Sequence, residues 1–451
     1  METQKIGIAE KLGYGFFSAS NNIVIQFVTS FILFYFTDVF GLSPAVAGMI
    51  ISFGLIWDGI NDPLIANYAD NHTFKNGERV RPFELYICIP LALTTILLFA
   101  PFQLPDGFKP VYAVVIYIFF YSFTTFLRIP YYAMSILATP DTHQRISLNT
   151  FTSGGASLGS VLAGVMCWPI VRHFAGVDAG GNLINPQRGF LFGTSAIGLV
   201  IVFGSLFTYY TSKERVHPIH DTAGRMTIPA SFKILLKNYN FRWNAAFSTL
   251  YFVGNTLLAT ILVYYCQYVL MDSGKTTLIM AGFALGSIVA LPFIKPVERK
   301  AGRRKAMMIG AGLTLLARIP FIIAPYSLSA ILVYGFIMGA SVALNVVTFS
   351  TTRADVADLV EYENGRRIDA MVNNLTGFIN KCGTSLTTLL IGFALEFAGY
   401  QGELTTQPQS AVDAIIFLQG WVALGISVVM LFCASRMTIE ERVLEMKAGR
   451  A

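Results

Sequence analysis

The sequence predicts an all-α integral membrane protein with twelve transmembrane helices in two six-helix halves. The chain has 451 residues, of which 54% are hydrophobic and only 13% are charged, whereas a soluble domain has about 25% charged residues. Twelve apolar segments are long enough to cross a bilayer. The longest gap between them is polar and separates the sixth segment from the seventh. Together these three observations predict the fold class.

The apolar segments and the gaps between them also predict the organisation of the chain. The predicted segments are 11–37, 43–69, 83–102, 110–138, 147–171, 189–211, 240–270, 276–297, 306–325, 327–352, 368–398 and 411–435. They imply an N-terminal bundle at 1–211, a cytoplasmic connector at 212–238, a C-terminal bundle at 239–436 and a cytoplasmic tail at 437–451. The first residues are too polar for a cleaved signal peptide.

Lysine and arginine cluster in the even-numbered connections between segments. Lys75, Arg79 and Arg81 follow the second segment, and five basic residues within 299–305 follow the eighth. The positive-inside rule then places both termini in the cytoplasm, as expected for a multi-pass protein of a bacterial-type inner membrane. Because the basic residues lie in short loops, the net charge of +6 does not indicate nucleic-acid binding.

The same basic turn occurs twice and suggests an internal repeat. The connection after the second segment reads KNGERVRPF, and the one after the eighth reads RKAGRRKAMM. Both place glycine beside arginine at equivalent positions. Two parallel six-helix halves are the arrangement of the major facilitator fold. A chance similarity between two basic turns is the alternative explanation of this motif.

The second segment carries two acidic residues at bilayer depth. Asp58 and Asp62 are four residues apart, so their carboxylates lie on one face of a helix, with the amide of Asn61 beside them. A carboxylate inside a membrane needs a cation, a proton or a buried basic partner. A hard cation prefers oxygen ligands of these types. The pattern therefore predicts a functional ionisable site, with a purely structural ion pair as the alternative.

Two basic residues also lie deep in apolar segments. Arg128 is in the fourth segment, with Thr125 and Tyr132 at helical spacing on either side, and Lys381 is midway along the eleventh. Such residues fit a polar cavity, although each could instead form a buried ion pair. Arg318 lies nearer a segment end, where its side chain could extend to the interface, so we interpret it as structural.

Several motifs resemble the glycoside–pentoside–hexuronide:cation symporter family, whose best-known member is the melibiose carrier. The resemblance covers nearly the whole chain and is carried by WDGINDP at 57–63, KLGYG at 11–15, YFTDVFGLS at 35–43, RIPYYAM at 128–134, YYCQYVL at 264–270 and NKCG at 380–383. It implies a major facilitator fold that couples sugar or glycoside uptake to Na⁺, Li⁺ or H⁺. It also implies a cation site formed by Asp58, Asn61, Asp62 and Thr125.

The positions that match the family's sugar site differ from those of the galactoside carriers. Asn22 and Arg128 stand where those carriers have aspartates, and Ser153 stands where they have an arginine. The other matching positions are Tyr132, Phe349 and Lys381. These differences make the site more positive by about two charges, which favours an anionic substrate such as a hexuronide, another acidic glycoside or a sulfonated sugar. Arg128 is the favoured clamp for the anion, and neutralisation of the two aspartates is its alternative role.

Alternative functions can be compared with that of a symporter for an acidic sugar. A symporter of a neutral pentoside or of a non-sugar anion would keep the same fold. An enzyme would need a nucleophile–base pair or metal ligands, but the histidines fall in loops or at segment ends, and neither HExxH nor GxSxG occurs. A membrane sensor would usually carry an added soluble domain. We therefore expect a monomeric transporter, not an enzyme, with no cofactor beyond the coupling ion and with no nucleic acid as partner.

Overall fold

The computed structural model describes residues 6–178, 181–216, 228–364, 369–402, 404 and 406–450. Within these ranges the regular structure is helical, and the one pairing of extended residues is an isolated bridge between Val177 and Leu183. The chain divides into two compact units. The first is Met1–Asp221 with Tyr400–Thr405, and the second is Thr222–Gly399 with Thr406–Ala451.

The first unit contains six long helices. They are α1 (Ile8–Phe34, continued by a π-helical turn at Tyr35–Val39), α2 (Pro44–Asn71), α3 (Arg81–Leu98), α4 (Lys109–Ala138), α5 (Thr142–Ala175) and α6 (Pro186–Thr211). Prolines begin several of them, because the fixed φ of proline suits the first turn of a helix.

The second unit contains the remaining helices. They are α7 (Ile228–Lys237), α8 (Tyr239–Tyr264, with a π-helical turn at Tyr265–Val269), α9 (Lys275–Ala301), α10 (Arg303–Ile323), α11 (Leu328–Asn364), α12 (Asp369–Phe397), α13 (Gln409–Phe417), α14 (Ala423–Ser435) and α15 (Ile439–Arg450). A π-helical turn at Leu418–Val422 joins α13 to α14 into one span.

Twelve helices in the described part of the chain are long and apolar enough to cross a membrane. The predicted all-α fold with twelve spans is therefore confirmed. Several spans are longer than the apolar segments: α5 begins at Thr142 and α11 continues to Asn364, whereas the sequence predicted a start at 147 and an end at 352. Hydropathy identifies only the part of a helix that lies within the bilayer, so it does not detect the polar extensions of that helix.

Glycines allow the closest helix packing in each unit. A Cβ at Gly155 or Gly159 of α5 would overlap the backbone carbonyl oxygen of Gly15 or Ala19 of α1. The same holds in the second unit, where a Cβ at Gly339 of α11 would overlap a carbonyl oxygen of α9. Small residues let membrane helices approach backbone to backbone, which gains van der Waals contact that lipid would otherwise provide.

The predicted repeat of the basic turn has a structural counterpart in both units. Gly77 and Gly302 both have left-handed backbone conformations, with φ of 81° and 80°. Beyond Gly77, the carboxylate of Glu214 accepts hydrogen bonds from the backbone N–H groups of residues 79–81 at 2.7–2.9 Å. Beyond Gly302, Glu440 accepts from the N–H of Arg303. In each unit, a glutamate that follows the sixth span thus caps the helix that starts after the basic turn.

The region after the tenth apolar segment was predicted as a connection and is helical. Val356 and Val360 of α11 are fully buried in a cluster with Leu235 of α7, Phe241 of α8 and Ile439 of α15. The residues predicted as connector and tail thus contribute helices to this cluster. Because the apolar positions are helically spaced between charged ones, the mean hydropathy of the region stays low.

Candidate functional site

The two membrane aspartates lie close together on α2, as their spacing predicts. Asp58 is 3% exposed and Asn61 is 5% exposed, whereas the Asp62 side chain is 32% exposed. Asp62 is followed by Pro63, which lies inside the helix. One carboxylate is therefore shielded from solvent, while the other reaches the surface of the first unit.

Thr125 of α4 connects the two carboxylates. Its Oγ1 is 3.0 Å from Oδ1 of Asp58 and 3.2 Å from Oδ1 of Asp62. The threonine is fully buried, so the hydroxyl donates to a carboxylate in a site shielded from water. The structure thus brings together the α2 and α4 members of the predicted cation site.

Arg128 lies one helical turn after Thr125 and forms an ion pair with both aspartates. Its Nη2 is 3.1 Å from Oδ1 of Asp62 and 3.7 Å from Oδ1 of Asp58. Two carboxylates and one guanidinium leave this cluster with one net negative charge when all three groups are ionised. A negative charge in a partly buried site is costly unless a cation or a proton accompanies it, which makes these residues candidates for binding a monovalent cation or a proton.

The donor set fits an alkali ion. Nδ2 of Asn61 is buried and has no hydrogen-bond partner within the described ranges. Rotation of that amide would present its oxygen, which would add to the carboxylate oxygens of Asp58 and Asp62 and the hydroxyl of Thr125. These are hard oxygen ligands. Within the described ranges, no three or more His, Cys, Asp and Glu side chains are grouped so that they could hold a metal ion.

Neighbouring contacts fix α2 against α4 beside this cluster. Nε1 of Trp57 donates to Oγ of Ser122 at 3.0 Å. A Cβ at Gly54 would overlap the ring of Tyr117, so the glycine permits the close approach of the two helices. Ser122 and Tyr117 were not predicted as site residues, because neither is a charged or unusual residue in an apolar helix.

Besides Arg128, which forms the ion pairs, the predicted substrate residues of the first unit are Asn22, Tyr132 and Ser153. Asn22 is half-buried, and its Nδ2 donates to the Ser18 carbonyl at 2.9 Å. Tyr132 is 54% exposed and close enough to Arg128 for electrostatic interaction. Ser153 is exposed on α5. A role for these three in substrate binding stays a prediction.

Phe349 and Lys381 are the predicted substrate residues of the second unit. The ring of Phe349 is 3% exposed and packs against Tyr251 at a centroid distance of 5.3 Å. Lys381 is half-buried on α12, next to Asn380, whose Oδ1 accepts hydrogen bonds from α8. Phe349 thus belongs to the apolar core of its unit in this structure, and its contact with substrate, like that of Lys381, stays a prediction.

Arg318 was interpreted as structural, with a side chain that could extend to the interface. The side chain is instead buried, with 1% exposed. Its Nη1 donates to the hydroxyl of Tyr334 at 3.2 Å, and its guanidinium lies over the same ring. The position of Arg318 near the end of an apolar segment did not indicate its burial, because the neighbouring helices cover its side chain.

Comparison with known proteins gives a consistent result. Residues 13–441 match the MFS/sugar transport protein family. The inner membrane symporter YicJ of Escherichia coli (strain K12) is 24% identical over 93% of this chain and 89% of its own length. A glucuronide carrier protein homolog from the same organism is 23% identical over 88% of this chain and 85% of its own length.

A solved structure supports the fold. A bacterial homolog of the human lysosomal transporter Spinster, in an inward-facing and occupied conformation, matches with a TM-score of 0.69 at 15% identity, over 96% of this chain and 97% of its own. At that identity the likeness concerns the fold alone, and it confirms the predicted major facilitator architecture. The proteins in these comparisons are transporters, which confirms the prediction that the chain is not an enzyme. The chain therefore belongs to the MFS/sugar transport protein family and, within it, to the glycoside–pentoside–hexuronide:cation symporters.

Proposed function

We propose that this multi-pass sugar transporter couples the uptake of an acidic sugar or glycoside to one Na⁺ or H⁺ by alternating access. The observation that carries the coupling is the net charge of the cluster on α2 and α4. Asp58 and Asp62 contribute two negative charges and Arg128 one positive charge, with Arg128 Nη2 within 3.7 Å of both carboxylates. One monovalent cation would balance the summed charge of these three side chains, so its binding and release can bias the carrier between states.

The charge balance also supports an acidic substrate. The galactoside pattern would place aspartates at Asn22 and Arg128 and an arginine at Ser153. Replacing these makes the local charge about two units more positive. The name of one relative, the glucuronide carrier protein homolog, agrees with an acidic cargo. A sugar acid carried together with a monovalent cation would also cross the membrane without net charge.

Transport in proteoliposomes tests this proposal. With purified protein, labelled methyl β-glucuronide should accumulate only when an inward Na⁺ or H⁺ gradient is imposed, and methyl β-glucoside should accumulate less. Liposomes without protein are the control. Accumulation without any ion gradient would contradict coupling, whereas gradient-driven uptake of the glucoside in preference to the glucuronide would contradict the acidic cargo and leave coupling intact.

We also propose that both termini face the cytoplasm, since the basic turns lie on that side by the positive-inside rule. Lys75 and Lys300 are exposed, and Asp106 lies on an odd-numbered connection with its side chain 95% exposed. In a cysteine-free variant, an impermeant thiol reagent added to intact cells should label Asp106→Cys but neither Lys75→Cys nor Lys300→Cys. Labelling in the reverse pattern would invert the topology.

A further inference from the structure

A polar pocket of about 430 Å³ lies between α11 and α12 of the second unit. Its polar wall consists of Ser350, Arg353, Asp358 and Asn373, and the rest is lined by small apolar side chains. This volume lies in the range of pockets that hold small molecules. Arg353 directly follows the tenth predicted apolar segment, 327–352, and the residues that line this pocket include none of the predicted site residues.

Arg353 is a cation without an anionic partner. Throughout the described ranges no carboxylate lies within ion-pair distance of it, and its nearest acceptor is the amide oxygen of Asn373, at 3.4 Å from Nη1. Its Nε is buried and makes no hydrogen bond. The guanidinium carbon lies over the ring of Phe349, 5.4 Å from the ring centroid. A partly buried guanidinium that has no ion-pair partner in the described part of the chain gains most from a carboxylate or sulfonate, which it can bind in a bidentate way.

The nearby acids do not compensate Arg353. Asp355 forms an ion pair with Arg303. Asp358 is exposed, so water solvates its charge. Its carboxylate lines the same pocket and is suited to accept hydrogen bonds from hydroxyl groups, as are the amide of Asn373 and the hydroxyl of Ser350. One arginine for an anion and several acceptors for hydroxyls together match a hydroxylated acid of sugar size.

We propose that this pocket binds the transported acidic sugar on the C-terminal unit, with Arg353 pairing with its carboxylate or sulfonate and Asp358 and Asn373 binding its hydroxyl groups. The proposal rests on the proposed function for the identity of the ligand. It assigns the anion to Arg353, because Arg128 already has two carboxylate partners. Lys381, the predicted substrate residue of α12, lies two helical turns beyond Asn373, about 12 Å along the helix axis.

Ligand binding to the purified full chain tests the assignment. Methyl β-glucuronide and methyl β-glucoside are titrated into wild type, Arg353→Gln, Arg353→Lys and the control Arg242→Gln, which removes an exposed arginine of the same unit. We expect Arg353→Gln to weaken glucuronide binding about tenfold or more and to leave glucoside binding and Na⁺ binding unchanged. Arg353→Lys should retain part of the preference, because lysine keeps the charge without the planar fork. Arg242→Gln should match wild type.

The outcomes separate this assignment from the proposed function. The pocket assignment would be overturned if Arg353→Gln preferred the glucuronide over the glucoside as strongly as wild type does. It would also be overturned if the variant lost affinity equally for both ligands, as expected if the contact of Arg353 with Phe349 serves only packing. Ion-driven uptake would stand in either case. Failure of the wild type to prefer the glucuronide would overturn the acidic cargo together with the assignment. Glucose 6-phosphate is titrated in parallel. If Arg353→Gln weakens its binding but not that of the glucuronide, the pocket holds a ligand that is not the cargo, and the assignment is overturned.

Discussion

Asp58→Asn or Asp62→Asn should abolish cation-driven accumulation of substrate and leave downhill exchange partly intact. Each change removes a carboxylate that accepts from Thr125 and lies within 3.7 Å of Nη2 of Arg128. The summed charge of Asp58, Asp62 and Arg128 changes from minus one to zero, so the electrostatic attraction for the cation is weaker. Removing one side of a buried charge pair costs about 2–5 kcal/mol, which corresponds to a loss of about 30-fold or more in cation affinity.

The two variants should differ in severity, and this difference is measurable. The Asp58 side chain is 4% exposed and that of Asp62 is 32% exposed, so water screens the loss at Asp62 more than at Asp58. Na⁺ titration and gradient-driven uptake in proteoliposomes measure both effects. Asp106→Asn, the same change at an exposed site of the first unit, is the matched control. Normal ion dependence in both Asp58→Asn and Asp62→Asn would place the coupling site elsewhere.

Much of the cation site follows from the sequence, because helix periodicity is a local property. The spacing of Asp58 and Asp62 places both carboxylates on one face of α2 without any knowledge of packing. The partner on α4, Thr125, came from resemblance to a family. The choice between the two roles of Arg128 could not be made in advance, since it depends on how α2 and α4 pack and on the close approach at Gly54.

The pocket at Arg353 shows where hydropathy fails. The charged residues after 352 indicated a loop between spans, whereas α11 continues to Asn364. Buried residues such as Val356 and Val360 hold that extension against α7 and α15. Only the continued helix sets Arg353 and Asp358 in the wall of one pocket with Asn373 of α12. Amphipathic periodicity after 352 was the signal that could have indicated it.

Arg128→Gln should strengthen cation binding and preserve the preference for an acidic ligand. The sequence alone favoured a role in clamping the substrate, but in this structure Nη2 of Arg128 lies 3.1 Å from Asp62 and 3.7 Å from Asp58, so the contacts favour neutralisation. Without the guanidinium the two carboxylates repel each other and attract any small cation more strongly. Two unit charges about 4 Å apart interact by about 4 kcal/mol at an effective dielectric constant of about 20. Because the side chain is 21% exposed, solvent screening reduces this effect, and we expect a gain of about tenfold in Na⁺ affinity.

Separate titrations of Na⁺ and methyl β-glucuronide decide between the two roles of Arg128. Trp57 precedes Asp58 and donates to Ser122 of α4, and its fluorescence reports on the candidate cation site in a variant whose other three tryptophans are replaced by phenylalanine. Arg128→Lys should stay near wild type in Na⁺ affinity because it keeps the positive charge beside the carboxylates. If Arg128→Gln instead left Na⁺ affinity unchanged and cost about 2–5 kcal/mol in glucuronide binding, Arg128 would be the group that binds the acid. The contrast with Arg353→Gln is then direct, because the guanidinium of Arg128 is already paired with both aspartates, whereas Arg353 has no ion-pair partner in the part of the chain that the structure describes.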